Sequence, residues 1–158
     1  MRAPLSWIKD FVEIPASLSA EEISKGLVRV GFEVENIIYQ GSDIKGPLSF
    51  AEVLSIEEIT EFKKPIRYVA LNCGEKSLRY VVCGATNFKE KDFVIVAMPG
   101  AVLPGGFAIA VRETYGKISN GMICSARELG LGDDHSGIMV LDAKKAKPGA
   151  DAKVHLGI

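Results

Sequence analysis

Short apolar runs separated by glycine and proline dominate the segment 81–125. Valine, isoleucine and phenylalanine are concentrated in four such runs, at positions 81–83, 93–97, 107–111 and 122–124. Glycine or proline occurs in every interval between them. Short β-favouring runs with turn residues between them predict the strands of a small barrel or sandwich, and not helices.

The strand pattern begins earlier in the chain. Partial alternation over 48–59 predicts a long strand, and 60–65 is expected to form a turn. Two further strands are predicted at 68–73 and 78–83, joined by a hairpin turn at 74–76. The expected core structure is therefore a five-stranded barrel.

Helical spacing predominates before residue 40. Apolar residues recur at three- and four-residue intervals in 4–13 and 19–30, which predicts two helices. Alternation over 32–38 predicts a strand. Trp7, the single tryptophan, is expected to anchor a core. The fold class is α+β: two helices and a strand, followed by a mainly β barrel.

Two Ser-x-x-Glu segments have the spacing of a capping box. Ser19 and Glu22 predict the start of the second helix. Ser125 and Glu128 predict a short helix within the barrel, which Gly130 must end.

Composition is that of an ordinary globular chain. The 158 residues are 47% hydrophobic and 25% charged, enough to bury a core without metals or disulfides. No apolar run is long enough to span a bilayer, and the first residues lack the features of a signal peptide. Three cysteines without close pairing favour the reducing cytoplasm.

The net charge of −1 conceals an uneven distribution. Residues 1–60 have a net charge of −5 and residues 92–158 a net charge of zero. Residues 61–91 carry seven basic and three acidic side chains, a net charge of +4. This local excess is a modest electrostatic footprint for a polyanion, although a solvated strand face has the same composition.

The sequence favours neither a catalytic nor a metal site. Residues 133–136, Asp-Asp-His-Ser, contain the residue types of a catalytic triad, but sequence neighbours point in different directions and favour a turn. Residues 100–107 lack the Lys-Ser/Thr of a phosphate loop and favour a hairpin. The soft metal-ligand candidates lack the spacing of a zinc site. They are Cys73, Cys83, Cys124, His135 and His155.

A small five-stranded barrel commonly binds oligonucleotides on one strand face and the adjoining loops. Cationic side chains lie on or beside the early strands, with aromatic residues interleaved that offer stacking faces. The cations are Lys63, Lys64, Arg67, Arg79 and Lys89, and the aromatic residues are Tyr68, Tyr80 and Phe88. The alternative is that the aromatic side chains are core and the cations are solvated.

Three segments carry a family resemblance: VVCGATN (81–87), PGAVLPGGFAIAVRETYGKISNGMICS (99–125) and ELGLGDDHSGIMVL (128–141). They closely resemble the tRNA-binding OB domain of the bacterial phenylalanyl-tRNA synthetase β subunit. The opening PLSWIKDFVEIP and GFEVENI are similar to the N-terminal piece of that subunit. The resemblance covers essentially the whole chain.

The resemblance implies a role in attaching phenylalanine to its tRNA. Members of the family are α2β2 enzymes that use ATP and magnesium, with the aminoacylation site in the α subunit. By this comparison the chain is a non-catalytic N-terminal fragment without a cofactor or metal of its own. Its expected parts are a segment of an incomplete neighbouring module (1–40), the OB domain (41–150) and an exit segment (151–158). Val154 and Leu156 have no obvious partner in the sequence.

The resemblance also implies RNA-facing residues. Asn87 and Ser119 are expected to bond phosphate or ribose, and Met122 to pack on a base or in the core. The His-Pro-x-Ala-Asp-x-Leu motif of many members is absent, since 60–68 reads TEFKKPIRY. We expect Lys63, Lys64 and Arg67 to replace it electrostatically.

Three functions are compatible with the sequence. The first is a tRNA-binding module of the ligase. The second is a packing module of the synthetase with little RNA affinity of its own, which the near-neutral charge favours. The third is a free-standing tRNA-binding protein, against which the helical lead-in at 4–30 argues.

Overall fold

The long strand β1 (Leu48–Ile59) is shared between two neighbours. In this computed structural model, which describes residues 2–142 and 147–158, the first half of β1 pairs antiparallel with β4 (Phe93–Ala97). The second half pairs antiparallel with β2 (Ile66–Asn72). A register shift between Val53 and Ser55 separates the halves. Such a bulge bends and twists the strand, so β1 can belong to both sides of a barrel.

Strand β3 (Arg79–Cys83) pairs with β2, and two short strands, β9 (Met122–Ile123) and β10 (Val140–Leu141), pair with β4. The backbone N–H of Asn120 donates to the carbonyl of Tyr80 over 2.8 Å, which joins β3 to the residues just before β9. The result is a nearly closed antiparallel barrel. The predicted five-stranded OB-fold is therefore confirmed.

Smaller elements connect β4 to β9. Strands β5 (Val102–Leu103) and β6 (Phe107–Ala108) pair around a 3₁₀ turn at Pro104–Gly106. Strands β7 (Arg112–Thr114) and β8 (Lys117–Ser119) form a hairpin. The sequence predicted one strand over 107–111, whereas the structure has a two-residue strand there and a second hairpin after it.

Two apolar clusters lie on opposite faces of β1 and β4. Ala51, Val94 and Val96 belong to the barrel interior, whereas Phe50 and Ile95 pack outside it. The outer cluster is covered by segments after β4, including the fully buried Leu129. Because both faces are buried, β4 (FVIVA) is a continuous apolar run with no polar alternation.

The second capping box forms, but no helix follows it. Ser125 N–H donates to Glu128 Oε2 over 2.6 Å, and Glu128 N–H donates to Ser125 Oγ over 3.3 Å. The next residues form a run of turns that ends at Gly130, which has φ of +66°. The short helix predicted here is wrong, because the segment is too short to propagate one before this glycine.

The end of the chain packs on the barrel. Helix α3 (Ala152–Leu156) begins at Asp151, whose carboxylate accepts the N–H of Lys153 over 2.9 Å. Ala152 and Leu156 pack against the outer cluster, so Leu156 has a partner that the sequence did not indicate, whereas Val154 is 78% exposed.

The contacts divide the chain into two units between Tyr39 and Gln40. The first contains helices α1 (Leu5–Ile8) and α2 (Ala20–Arg29). Its capping box is confirmed, with Glu22 N–H donating to Ser19 Oγ over 3.2 Å. The first helix is shorter than predicted, and the structure has no strand within 32–38.

None of the described residues of this first unit is buried. The prediction that Trp7 anchors a core is wrong, since this side chain is 68% exposed and Phe11 is 87% exposed. Two short helices cannot enclose their own apolar faces.

Candidate nucleic-acid interface

An open groove of about 370 Å³ lies between β3 and the segment that runs from β6 to β9. Its residues come from the β1–β2 loop, the start of β2, the end of β3, strands β6 to β9 and the segments between them. Small side chains and glycines alternate with larger apolar groups. The lining residues are Lys64, Ile66, Val82, Gly84, Phe107, Ala108, Ile109, Ala110, Arg112, Thr114, Tyr115, Ser119, Gly121 and Met122.

The groove is positively charged. Lys64 and Arg112 line it, and none of the lining residues that the structure describes is acidic. The Arg112 guanidinium lies 5.6 Å from the ring centre of Phe107, and its Nη2 donates to the Ala108 carbonyl over 3.3 Å. Both cations are exposed, so they are available to an anionic ligand.

Tyr115 occupies a special backbone position at the edge of this groove. Thr114 pairs with Lys117, so Tyr115 and Gly116 form a two-residue hairpin turn, with φ of +54° and +70°. Positive φ at both residues is the type I′ turn, which favours Asn-Gly and is unfavourable for a bulky side chain. The Tyr115 ring contacts Phe62 of the β1–β2 loop edge-on, with ring centres 4.6 Å apart.

A second depression of about 740 Å³ adjoins the groove and shares Val82, Gly84 and Met122 with it. Arg127 and His135 are among its polar residues. Glu128 also lines it, but its carboxylate is bonded to the Ser125 backbone and hydroxyl.

Three of the six predicted RNA-binding residues line the groove: Lys64, Ser119 and Met122. Met122 is half-buried and also packs against the outer core cluster. The Ser119 hydroxyl accepts the Val82 N–H over 3.0 Å and donates to the Gly121 carbonyl over 3.1 Å. Those contacts favour a structural role for Ser119, which holds β8 against β3.

Asn87 lines neither depression. Its Nδ2 donates to the Ile138 carbonyl over 2.8 Å, and its Oδ1 accepts the Ile138 N–H over 3.0 Å. The carboxamide sits so close to Gly137 that a Cβ there would lie 2.3 Å from Asn87 Cγ. Both ends of the carboxamide therefore hold the chain before β10, and its predicted contact with RNA stays a prediction.

Arg67 is also engaged within the barrel. Its Nε donates to Glu58 Oε1 over 2.8 Å, and its Nη1 donates to the carbonyls of Thr86 and Phe88 over 3.1 and 2.8 Å. The side chain is 15% exposed and lies over the Phe88 ring at 5.1 Å. By contrast, the adjacent Lys63 is exposed on the β1–β2 loop, but it does not line the groove.

The three aromatic residues that the sequence suggested for stacking do not line the groove. Tyr68 and Tyr80 stack on each other with ring centres 5.3 Å apart, and Phe88 is buried in the core. Lys117 lies 4.9 Å from the Tyr68 ring and pairs with Glu57 over 2.9 Å. The hydrogen bond to Glu57 raises the pKa of Lys117.

Phe107, Arg112 and Tyr115 were not predicted, although they line the groove. Tyr-Gly is not one of the dipeptides that favour a two-residue hairpin turn, so Gly116 alone signalled this turn in the sequence. Which side of the barrel this hairpin faces depends on the tertiary structure.

The described residues show no metal-binding cluster of His, Cys, Asp or Glu. Burial raises the pKa of the Cys73 thiol to about 11 and that of Cys124 to about 12, so neither is a ready nucleophile. Asp134 accepts the N–H and hydroxyl of Ser136, bonds that lower its pKa and form the predicted turn. No helix in the described part of the chain has the length and apolar character needed to cross a membrane.

The barrel and its cationic groove define the class of protein. Residues 48–151 match the family model described as "Putative tRNA binding domain", and the chain belongs to this family. Among solved structures, the crystal structure of CsaA chaperone protein from Picrophilus torridus has a TM-score of 0.49 and 13% identity, covering 66% of this chain and 89% of that one.

Comparison over the whole chain finds relatives of one particular kind, the β subunits of phenylalanine–tRNA ligases. The chain is 49% identical to the phenylalanine–tRNA ligase β subunit of Thermobifida fusca and 52% identical to that of Mycolicibacterium paratuberculosis, with all of its residues covered in both comparisons. Identity to the same subunit of Corynebacterium glutamicum is 52% over 92% of the chain. The chain spans about a fifth of the length of these relatives: 20%, 19% and 18% respectively.

Proposed function

We propose that this chain is the tRNA-binding part of the β subunit of a phenylalanine–tRNA ligase, and that it contacts tRNA through the groove. The observation that carries the proposal is the groove's lining, with two exposed cations and no acidic residue among the described lining residues. It lies within the segment that matches the tRNA-binding family. Cations without competing acids attract phosphates of any sequence.

In this proposal the chain corresponds to the N-terminal region of the β subunit, acting with the rest of that subunit and with the α subunit in an α2β2 enzyme. ATP and magnesium would serve the whole ligase. The described residues contain no group of three or more His, Cys, Asp or Glu side chains that could hold a metal ion.

The test is a titration of labelled tRNA with the 158-residue chain at several salt concentrations. We expect phenylalanine tRNA and a non-cognate tRNA to bind with similar affinity, because phosphate contacts carry no sequence information. The double variant Lys64→Ala/Arg112→Ala should weaken binding and lower the slope of log K against log salt by roughly 2.

The matched control removes two exposed cations outside both depressions, Lys76→Ala/Lys89→Ala. It should leave the slope within about 0.5 of wild type, as expected if those lysines contact no phosphate. Equal effects of the two double variants would contradict the groove as the site. Absence of tRNA binding by the wild-type chain at low salt would contradict the proposed function itself.

A packing module is the second candidate. It is favoured by the described residues before Gln40, none of which is buried although they include Trp7 and Phe11. Apolar side chains exposed in this way are typical of a surface that another part of a protein covers. A chain that binds no tRNA, yet is stabilised by the remaining part of the β subunit, would support this role.

A further inference from the structure

We propose that the groove binds a single unpaired nucleotide of the RNA, with the base stacked on Tyr115 and Phe107 and the phosphate held by Lys64 and Arg112. This inference rests on the proposed function and specifies the part of the RNA that occupies the groove. The arguments come from the size, charge and backbone of the groove.

The groove is of small-ligand size. About 370 Å³ lies within the range of pockets that hold small molecules. Ala108, Ala110, Gly84 and Gly121 contribute little side-chain bulk to its lining. An unpaired nucleotide fits such a depression, whereas a double helix presents a broad backbone surface and keeps its bases inside.

Charged and aromatic side chains meet in the groove. Phe107 is 47% exposed and Tyr115 is 44% exposed, and both line the groove together with the two cations. A cationic groove that contains exposed aromatic rings is the usual means of binding single-stranded nucleic acid, because every base has a face that can stack.

The backbone supports a role for the Tyr115 ring. Its φ of +54° is unfavourable for a bulky side chain, and asparagine would relieve that cost. An unfavourable backbone conformation that places an exposed aromatic ring in a cationic groove is consistent with a binding function for the ring.

The Tyr68–Tyr80 pair on the barrel is less suited to a nucleotide. Tyr68 and Tyr80 stack on each other, and the Tyr68 hydroxyl donates to the Ile118 carbonyl over 3.2 Å. Lys117 beside them is already paired with Glu57. One face of each ring is covered by the other ring, and the neighbouring cation already has a carboxylate partner.

The experiment compares Tyr115→Asn with the wild-type chain. Asparagine is favoured in the type I′ turn, which offsets the lost ring contact with Phe62, so the variant should stay folded with a melting temperature close to that of the wild type. The probes are an oligouridine of about eight nucleotides, a blunt RNA duplex of the same length, and tRNA. Controls are Tyr115→Phe, which keeps the ring, and Tyr80→Thr, which removes an exposed ring outside the groove and keeps β propensity.

We expect the wild-type chain to bind the oligouridine more tightly than the duplex. Tyr115→Asn should weaken oligouridine binding by about 5- to 150-fold, the range for loss of one stacked base. Tyr115→Phe and Tyr80→Thr should bind it as wild type does. The inference is overturned if the duplex binds as tightly as the oligouridine, if Tyr115→Asn has no effect, or if Tyr80→Thr has the larger effect.

The two proposals fail in different ways. If tRNA binding depends on Lys64 and Arg112 but the oligouridine results are negative, the proposed function stands and the unpaired nucleotide is excluded. If the oligouridine binds through Tyr115 but tRNA does not bind, the groove is a site for an unpaired nucleotide and the proposed tRNA-binding function is excluded.

Discussion

Two groups of polar side chains on the same barrel differ in what they contact. Arg67, Asn87 and Ser119 direct their polar atoms at backbone groups of neighbouring segments, at distances of 2.8 to 3.1 Å. Lys64 and Arg112 are exposed beside an open groove that has no acidic lining residue among those described, and Arg112 Nη2 makes a long backbone bond of 3.3 Å to the Ala108 carbonyl. The first group holds the barrel together, and the second is available to a ligand.

The difference shows that residue type does not by itself define a binding residue. An arginine on a strand of a nucleic-acid-binding barrel is an obvious candidate for a phosphate contact. Arg67, however, donates hydrogen bonds to Glu58 and to two backbone carbonyls of the barrel. Because satisfied polar atoms gain little from a ligand, the two groups should respond differently to mutation.

Asn87→Ala should have the largest effect of the substitutions within the first group. It leaves the Ile138 N–H and carbonyl without their partner at a buried residue, which should reduce the free energy of unfolding by about 2–4 kcal/mol. Urea denaturation measures this loss, and tRNA affinity measured below the melting transition should be unchanged. A variant with normal stability and weaker tRNA binding would place Asn87 at the RNA and break the comparison.

Arg67→Gln and Lys64→Gln remove the same charge from the two groups. Arg67→Gln should lower stability by about 1–2 kcal/mol, since its contacts are partly buried, and should leave the salt dependence of tRNA binding unchanged. Lys64→Gln should change stability by less than about 0.5 kcal/mol and lower the salt slope by roughly 1. If instead Arg67→Gln lowered the salt slope and Lys64→Gln lowered the stability, Arg67 would be the phosphate contact and Lys64 the structural residue.

The buried Cys124 thiol tests whether the outer apolar cluster is closed to solvent. Burial raises the pKa of Cys124 to about 12, above the value of about 9 in the unfolded chain. Its contribution to stability is therefore complete below pH 9 and is lost as the pH rises from 9 towards 12. By pH 9.5 the loss should be about 1 kcal/mol, and a Cys124→Ala variant should lack this part of the pH dependence.

Urea midpoints between pH 8 and 9.5 measure the difference between the two chains. At pH 8 the folded protein should resist thiol reagents. Rapid reaction of Cys124 at that pH would show that the outer apolar cluster is open to solvent.

The sequence by itself determined the barrel. The apolar run at 93–97 coincides with β4, because a strand buried on both faces requires a continuous apolar sequence, and the partial alternation at 48–59 coincides with β1. Both capping boxes also form as their four-residue patterns predict, since such contacts are local.

Only the tertiary structure decided which polar side chains are hydrogen-bonded within the barrel. Asn87 bonds to Ile138, 51 residues away along the chain, and Ser119 bonds to Val82, 37 residues away. A local sequence pattern cannot predict contacts over such separations. The groove likewise exists because the β7–β8 hairpin and the β1–β2 loop meet, where Phe62 touches Tyr115. A local sequence pattern specifies strands and turns, whereas a binding surface depends on how distant segments are brought together.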